Sequence, residues 1–247
     1  MPRFFINEDQ INDNVVTITG DDAHHISRSL RMAVGENITV CDGKREYECV
    51  LETFADNVTA RITVSCELNC EMPCRVSLFQ ALPKGDKLDT IIQKAVECGA
   101  FEITTFESER CIVRAKAESE EKKIERRSRI ALEAAKQCGR GMVPRVNKTL
   151  SFDKMLETAS KNDLVLFCYE GADVRPLGEV LRSIGGREWA KDKNIAVIIG
   201  AEGGFSPNEA KRAKEIGAVA VGLGNRILRT ETASPFALAC LVYEFEL

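Results

Sequence analysis

The 247-residue chain has no apolar run approaching the roughly 20 residues that a membrane-spanning helix requires. Its start, Met1-Pro2-Arg3-Phe4-Phe5-Ile6, turns polar too soon for a secretory signal, so the expected location is the cytoplasm. No CxxC pair occurs, and there are only two histidines beside ten scattered cysteines, which excludes the common zinc patterns and favours reduced thiols. Cys66, Cys70 and Cys74 form C-x3-C-x3-C, whereas radical enzymes that ligate an iron-sulfur cluster use C-x3-C-x2-C. These thiols are read as fillers of small apolar spaces, and no metal is expected. The chain also lacks the G-x-x-x-x-G-K-[ST] loop for triphosphates, a G-x-G-x-x-G after the first strand of its second half, and the G-x-S-x-G elbow of hydrolases.

Charge is unevenly placed. The net charge is −4, but residues 1–73 hold 6 basic and 13 acidic side chains, so the remainder is net positive. Between Arg110 and Arg145 there are 11 basic and 5 acidic residues, Arg126, Arg127 and Arg129 among them. Such a local excess fits either a nucleic-acid partner or a solvated helix face.

The periodicity changes near Pro73. From Val15 to Val64 short β-rich segments (15–19, 37–40, 47–51 and 58–64) are punctuated by turn signals such as Asp42-Gly43, which predicts a small β-barrel. A short helix is expected from Asp22 to Met32, carrying His24, His25, Arg28 and Arg31. After Pro73, strands at 75–81, 102–106, 164–169, 195–200 and 218–223 alternate with amphipathic helices, a long one from about Ser119 to Cys138. That alternation predicts an α/β domain with a mostly parallel sheet. Two domains follow, 1–73 and 74–247. Ser206-Pro207-Asn208-Glu209 and Ser234-Pro235 are read as helix starts.

In parallel α/β sheets, ligands bind beyond the carboxyl ends of the strands. The loops to inspect are those after Tyr169, Ile199 and Leu223. One reads Gly200-Ala201-Glu202-Gly203-Gly204-Phe205-Ser206, and another Leu223-Gly224-Asn225-Arg226-Ile227-Leu228-Arg229-Thr230-Glu231-Thr232-Ala233. A lone glycine-rich loop is an ordinary turn. Two of them on neighbouring strand ends describe a ligand site with exposed backbone donors.

With these motifs the chain resembles the ribosomal RNA (uracil-N3) methyltransferase family, RsmE, of the SPOUT superfamily. The likeness runs over nearly the whole chain. It includes Met1-Pro2-Arg3-Phe4-Phe5, His24-His25 through Leu30-Arg31, Pro83-Lys84-Gly85-Asp86-Lys87, residues 93–97 and Glu133-Ala134-Ala135-Lys136-Gln137-Cys138-Gly139-Arg140. Ala201 and Asn225 stand where the family usually has proline. The resemblance implies an N-terminal PUA-like RNA-binding barrel, a C-terminal domain tied in a deep trefoil knot, a homodimer, and S-adenosylmethionine as cofactor. Ordinary connection rules predict no knot.

What the resemblance implies for residues is specific. Ile199, Leu223, Ile227 and Leu228 would wall an adenine pocket, with Gly200, Glu202, Gly203 and Gly224 offering further contacts, although Leu223 and Ile227 also fit plain core. Arg3, His25, Arg28, Arg31 and Arg140 match positions facing small-subunit ribosomal RNA, and Lys84 and Lys87 join them. N3 of uracil must lose a proton as the methyl arrives, which calls for a base and an anion stabiliser. Glu231 is the candidate base and Arg229 the candidate stabiliser. Glu202 is the alternative base, and an Arg229–Glu231 ion pair shaping the loop is the alternative role for that pair. Methylation of another RNA, and RNA binding without catalysis, are the competing functions. The apolar last helix, with Phe236, Leu238, Leu241, Val242 and Phe245, agrees with a homodimer.

Overall fold

Alternating apolar and polar residues need one covered face, and the first third of the chain supplies it with a single sheet. The computed structural model describes residues 1–115, 120–171 and 173–247. It divides into two compact units, residues 1–71 with 135–143, and residues 72–134 with 144–247. The division falls beside the expected joint at Pro73, and the end of the long helix groups with the first unit.

In the first unit the strands are β1 (Arg3–Phe5), β2 (Ile11–Asn12), β3 (Val15–Ile18), β4 (Asn37–Cys41), β5 (Arg45–Phe54) and β6 (Val58–Glu67). They form one sheet in the order β1-β4-β5-β6-β3-β2, antiparallel except for β1 beside β4. Period-2 patterning sends Tyr47, Cys49 and Leu51 of β5 inward. They join Phe4, Val16, Ile18, Ile38, Val40 and Ala60 in one apolar cluster, so the sheet encloses its own core. α1 (Gly20–His24) continues into a wider π-type turn over His25–Ser29. The helix expected from Asp22 to Met32 therefore stops early. Arg31 lies outside it with φ of +53°.

Two basic residues of this unit face inward. The Arg3 guanidinium bonds the Cys41 sulfur at 2.8 Å and pairs with Glu46 at 2.7 Å. Arg140, with 5% of its side chain exposed, is clamped by the Glu71 carboxylate. Glu71 also accepts from the backbone N–H of Gly141 at 3.0 Å.

The second unit holds β7 (Arg75–Ala81), α2 (Lys87–Glu97), β8 (Glu102–Glu107), α3 (Glu120–Cys138, ending in the first unit), β9 (Arg145–Ser151), α4 (Phe152–Ala159), β10 (Leu164–Cys168), β11 (Arg175–Pro176), α5 (Leu177–Ser183), α6 (Gly186–Ala190), β12 (Asn194–Ile199), α7 (Pro207–Glu215), β13 (Val219–Gly222) and α8 (Thr230–Phe245). The sheet order is β11-β13-β10-β12-β7-β8-β9, and every pairing is parallel. Helices cover both faces of the central strands, so β7 and β12 are near-continuous apolar runs. The start expected for α3 at Ser119 lies outside the described residues. Within α3 the basic residues do not form one face: Arg127 is buried and Arg126 pairs with Asp89.

Ser206 caps α7 as expected, in a reciprocal capping box with Glu209. Ser234 does not start a helix. α8 begins four residues earlier at Thr230, with Pro235 inside it and Ser234 fully buried. Pro235 stands inside the helix and removes the N–H that would reach back to the Glu231 carbonyl.

The Glu71–Arg140 pair yields a stability prediction. Glu71→Ala removes a carboxylate that accepts from the buried guanidinium and from the Gly141 N–H and should lower the stability of the protein by about 2 kcal/mol, read as a lower midpoint in urea unfolding. An unchanged midpoint would mean the pair is solvated.

Candidate active site

Three loops leave neighbouring strand ends, after β10, β12 and β13, and together line a cleft of ≈ 760 Å³. Phe205 anchors the β12 loop. Its ring packs 4.3 Å from that of Phe167 and lies parallel to Phe106 at 6.2 Å. The backbone then doubles back tightly: a Cβ at Gly200 would meet the Phe205 ring at 3.1 Å and Gly204 Cα at 3.2 Å. Arg110 closes the turn by donating to the Gly203 carbonyl at 3.0 Å. In the β13 loop, Gly224 has φ of +101°, a conformation that favours glycine.

A buried polar network joins the loops. Gln80, fully buried at the end of β7, donates from Nε2 to Thr230 Oγ1 at 3.0 Å and to the Ala81 carbonyl at 2.9 Å. Thr230 Oγ1 passes its own proton to the Gly200 carbonyl at 2.7 Å, and Ser234 Oγ donates to Gln80 Oε1. One side chain thus fixes the end of β7, the exit of β12 and the start of α8.

All eight expected cofactor residues line the cleft: Ile199, Gly200, Glu202, Gly203, Leu223, Gly224, Ile227 and Leu228. Ile199 is buried, Leu223 and Leu228 are half-buried, and Ile227 is 83% exposed, so Ile227 is no core residue. Cys168, Tyr169, Glu170, Val174 and Arg110 line it too, and sequence reading had not singled them out beyond marking the loop after Tyr169. Nor had it found Gln80, whose signal was a lone amide near the end of an otherwise apolar strand.

The two candidate bases differ in their surroundings. Glu202 Oε1 accepts from Lys87 Nζ at 2.8 Å and from the Lys84 N–H at 3.1 Å. Burial opposes its ionisation, but Lys87 and these backbone donors prevail and hold its carboxyl below the usual carboxylate range. Glu231 is half-buried; its Oε2 has no hydrogen-bond partner, the Lys87 ammonium standing 3.5 Å away as an ion-pair partner. Arg229 approaches Glu231 only to 4.0 Å, with 82% of its side chain exposed. Among the described residues no cluster of histidine, cysteine, aspartate and glutamate is arranged to hold a metal ion.

Of the residues expected to face RNA, His25, Arg28 and Arg31 are exposed in the first unit, and Lys84 is exposed in the second. Arg3 and Arg140 are instead engaged internally, because the carboxylates of Glu46 and Glu71 compensate their charge.

A family model described as an RNA methyltransferase domain matches residues 70–242, and one described as an RNA methyltransferase PUA domain matches residues 18–62. The ribosomal RNA small subunit methyltransferase E of Bacillus subtilis is 36% identical over 100% of this chain and 98% of its own length. The chain belongs to this RNA methyltransferase family. Among solved structures, a ribosomal RNA small subunit methyltransferase E from Neisseria gonorrhoeae bound to S-adenosyl methionine superposes with a TM-score of 0.84, at 31% identity over 99% of this chain and 98% of that one. A putative methyltransferase from Legionella pneumophila with bound SAM gives 0.82, at 30% identity over 98% and 96%.

Replacing Gln80 tests the network. Gln80→Leu removes the donor to Thr230 Oγ1 and to the Ala81 carbonyl and the acceptor for Ser234 Oγ, and should cost about 2 kcal/mol, seen as a lower thermal midpoint together with faster amide exchange at residues 200–204. Protection unchanged at those amides would show that the loop is held by other contacts.

Proposed function

We propose that this chain is an S-adenosylmethionine-dependent methyltransferase that methylates N3 of a uridine in small-subunit ribosomal RNA. The observation that carries this reading is the cleft at three parallel strand ends, walled by the two glycine-rich loops and by Arg229 and Thr230, the residues just before Glu231. Its volume lies within the roughly 300–1,000 Å³ of small-molecule sites. The lining fits the cofactor chemically: aliphatic walls from Ile199, Leu223, Ile227 and Leu228 suit adenine, and the glycine turns at 200–204 and 224 bring backbone groups close to a ligand. When bound, the cofactor would supply an electrophilic methyl group on a sulfonium, open to in-line attack by an aligned nitrogen as the C–S bond breaks and neutral S-adenosylhomocysteine leaves.

The protein's own work concerns the proton and the charge. Uracil N3 lies on the pairing edge, so the base must be unpaired or extruded to enter. Glu231, which follows the cleft-lining Arg229 and Thr230 and keeps 23% of its side chain exposed, accepts the N3 proton. Glu202 is occupied by Lys87 and the Lys84 N–H, which leaves it the weaker candidate. Arg229, exposed at the N-terminus of α8, is free to meet the negative charge spreading onto the uracil oxygens. A ribosomal substrate entails a cytoplasmic enzyme, and no helix among the described residues is long and apolar enough to cross a membrane.

Three further parts belong to the same reading. His25, Arg28 and Arg31 form the RNA-contacting group of the first unit, without Arg3 and Arg140. The chain is knotted as its family resemblance implies, a reading with which the place of β13 between β10 and β11 in the sheet is compatible. The protein is a homodimer, since Phe236, Ala239 and Tyr243 leave an exposed, mostly apolar stripe along α8.

Purified protein incubated with small-subunit RNA and methyl-labelled cofactor tests the chemistry. Glu231→Gln should slow transfer by roughly 10²-fold or more, with recovery at higher pH as uracil ionises unaided. A loss without recovery would make Glu231 an architectural residue. Arg28→Glu with Arg31→Glu should weaken RNA binding and flatten its salt dependence while leaving cofactor affinity unchanged. Unaltered RNA affinity in that variant would remove the pair from the interface.

A further inference from the structure

Lys87 opens α2, where a cation is disfavoured because the helix dipole already places positive charge at its N-terminus. Its ammonium does not turn to solvent. It reaches into the cleft and stands between two carboxylates, 2.8 Å from Glu202 Oε1 and 3.5 Å from Glu231 Oε2. The contacts are unequal. Glu202 takes a full hydrogen bond and a second one from the Lys84 N–H, whereas Glu231 has only a charge contact.

We infer that Lys87 is a positioning residue whose task is to neutralise Glu202, so that Glu231, beside the cleft, keeps its orientation and serves as the reactive carboxylate. The inference rests on the proposed role of Glu231. Two carboxylates that share one ammonium repel each other once it is removed. Among the described cations of the cleft none stands ready to replace it: Arg229 reaches Glu231 only to 4.0 Å from an exposed position, Arg110 is bonded to the Gly203 carbonyl, and Arg226 pairs with neither carboxylate. Glu170 at the cleft wall adds a further negative charge. Lys87 therefore acts through the carboxylates and does not contact the uracil.

This assignment makes an unusual prediction, that a second substitution repairs the first. Lys87→Met should lower kcat by roughly 10- to 100-fold at saturating RNA and cofactor, with little change in KM for RNA. Adding Glu202→Gln removes the unpaired charge and keeps an oxygen to accept from Lys84, so the double variant should return to within about 3-fold of Glu202→Gln alone. Lys87→Arg should retain most of the activity. A double variant as slow as Lys87→Met would overturn the inference and assign Lys87 to the substrate or cofactor. A second readout needs no activity. In crystals of the cofactor-free Lys87→Met protein the Glu231 carboxylate should swing away from Glu202, and in the double variant it should return. An unmoved Glu231 in Lys87→Met refutes the positioning role whatever the RNA substrate is, whereas an inactive wild type with the expected movement refutes only the proposed function.

Discussion

A parallel sheet ends in loops that no neighbouring strand can hold, and here one buried amide and one hydroxyl hold them. Thr230 Oγ1 receives a proton from Gln80 and gives its own to the Gly200 carbonyl, so the exit of β12 and the entry of α8 share a hydrogen-bonded point. Inside the protein an unpaired polar group is costly, so the network is satisfied as a set or not at all. The position of Glu231 follows from it, being the residue after Thr230. So does the shape of the glycine turn, since Gly200 is clamped on one side by Thr230 and crowded on the other by Phe205.

Charge is managed by the same economy of partners. The cleft carries acidic and basic groups in close proximity, and its chemistry depends on which are paired. Glu202 takes a full hydrogen bond from Lys87, whereas Glu231 has only the longer ion pairs to Lys87 and Arg229. In the first unit Arg3 and Arg140 are closed by Glu46 and Glu71, while His25, Arg28 and Arg31 face solvent. An acidic protein can thus present a basic surface without a basic average.

What could be read in the sequence was local. Period-2 patterning between Val15 and Val64 placed four of the six strands of the first sheet and missed the short β1 and β2, and Ser206 with Glu209 located a helix start to the residue, because a capping box is complete within four positions. Ser234-Pro235 carried the same signal and misled, since the Ser234 hydroxyl is drawn to Gln80, 154 residues away. Arg3 and Arg140 misled likewise: a basic side chain looks the same whether its carboxylate partner is near or distant in the chain. The cleft residues in the two glycine-rich loops were found from motif and the loop after Tyr169 from its place at a strand end, whereas Gln80 and Arg110 enter only through the tertiary fold. Sheet order, and with it the insertion of β13 between β10 and β11, left no trace in periodicity.

The account stands on the claim that the cleft delivers a methyl group to N3 of one uridine in small-subunit ribosomal RNA. Mass-spectrometric mapping of that RNA, from cells with and without the gene for this chain, tests it most directly. The account predicts one N3-methyluridine present in the first RNA, missing from the second, and restored by the wild-type protein but not by Glu231→Gln. Identical maps from the two strains would contradict it.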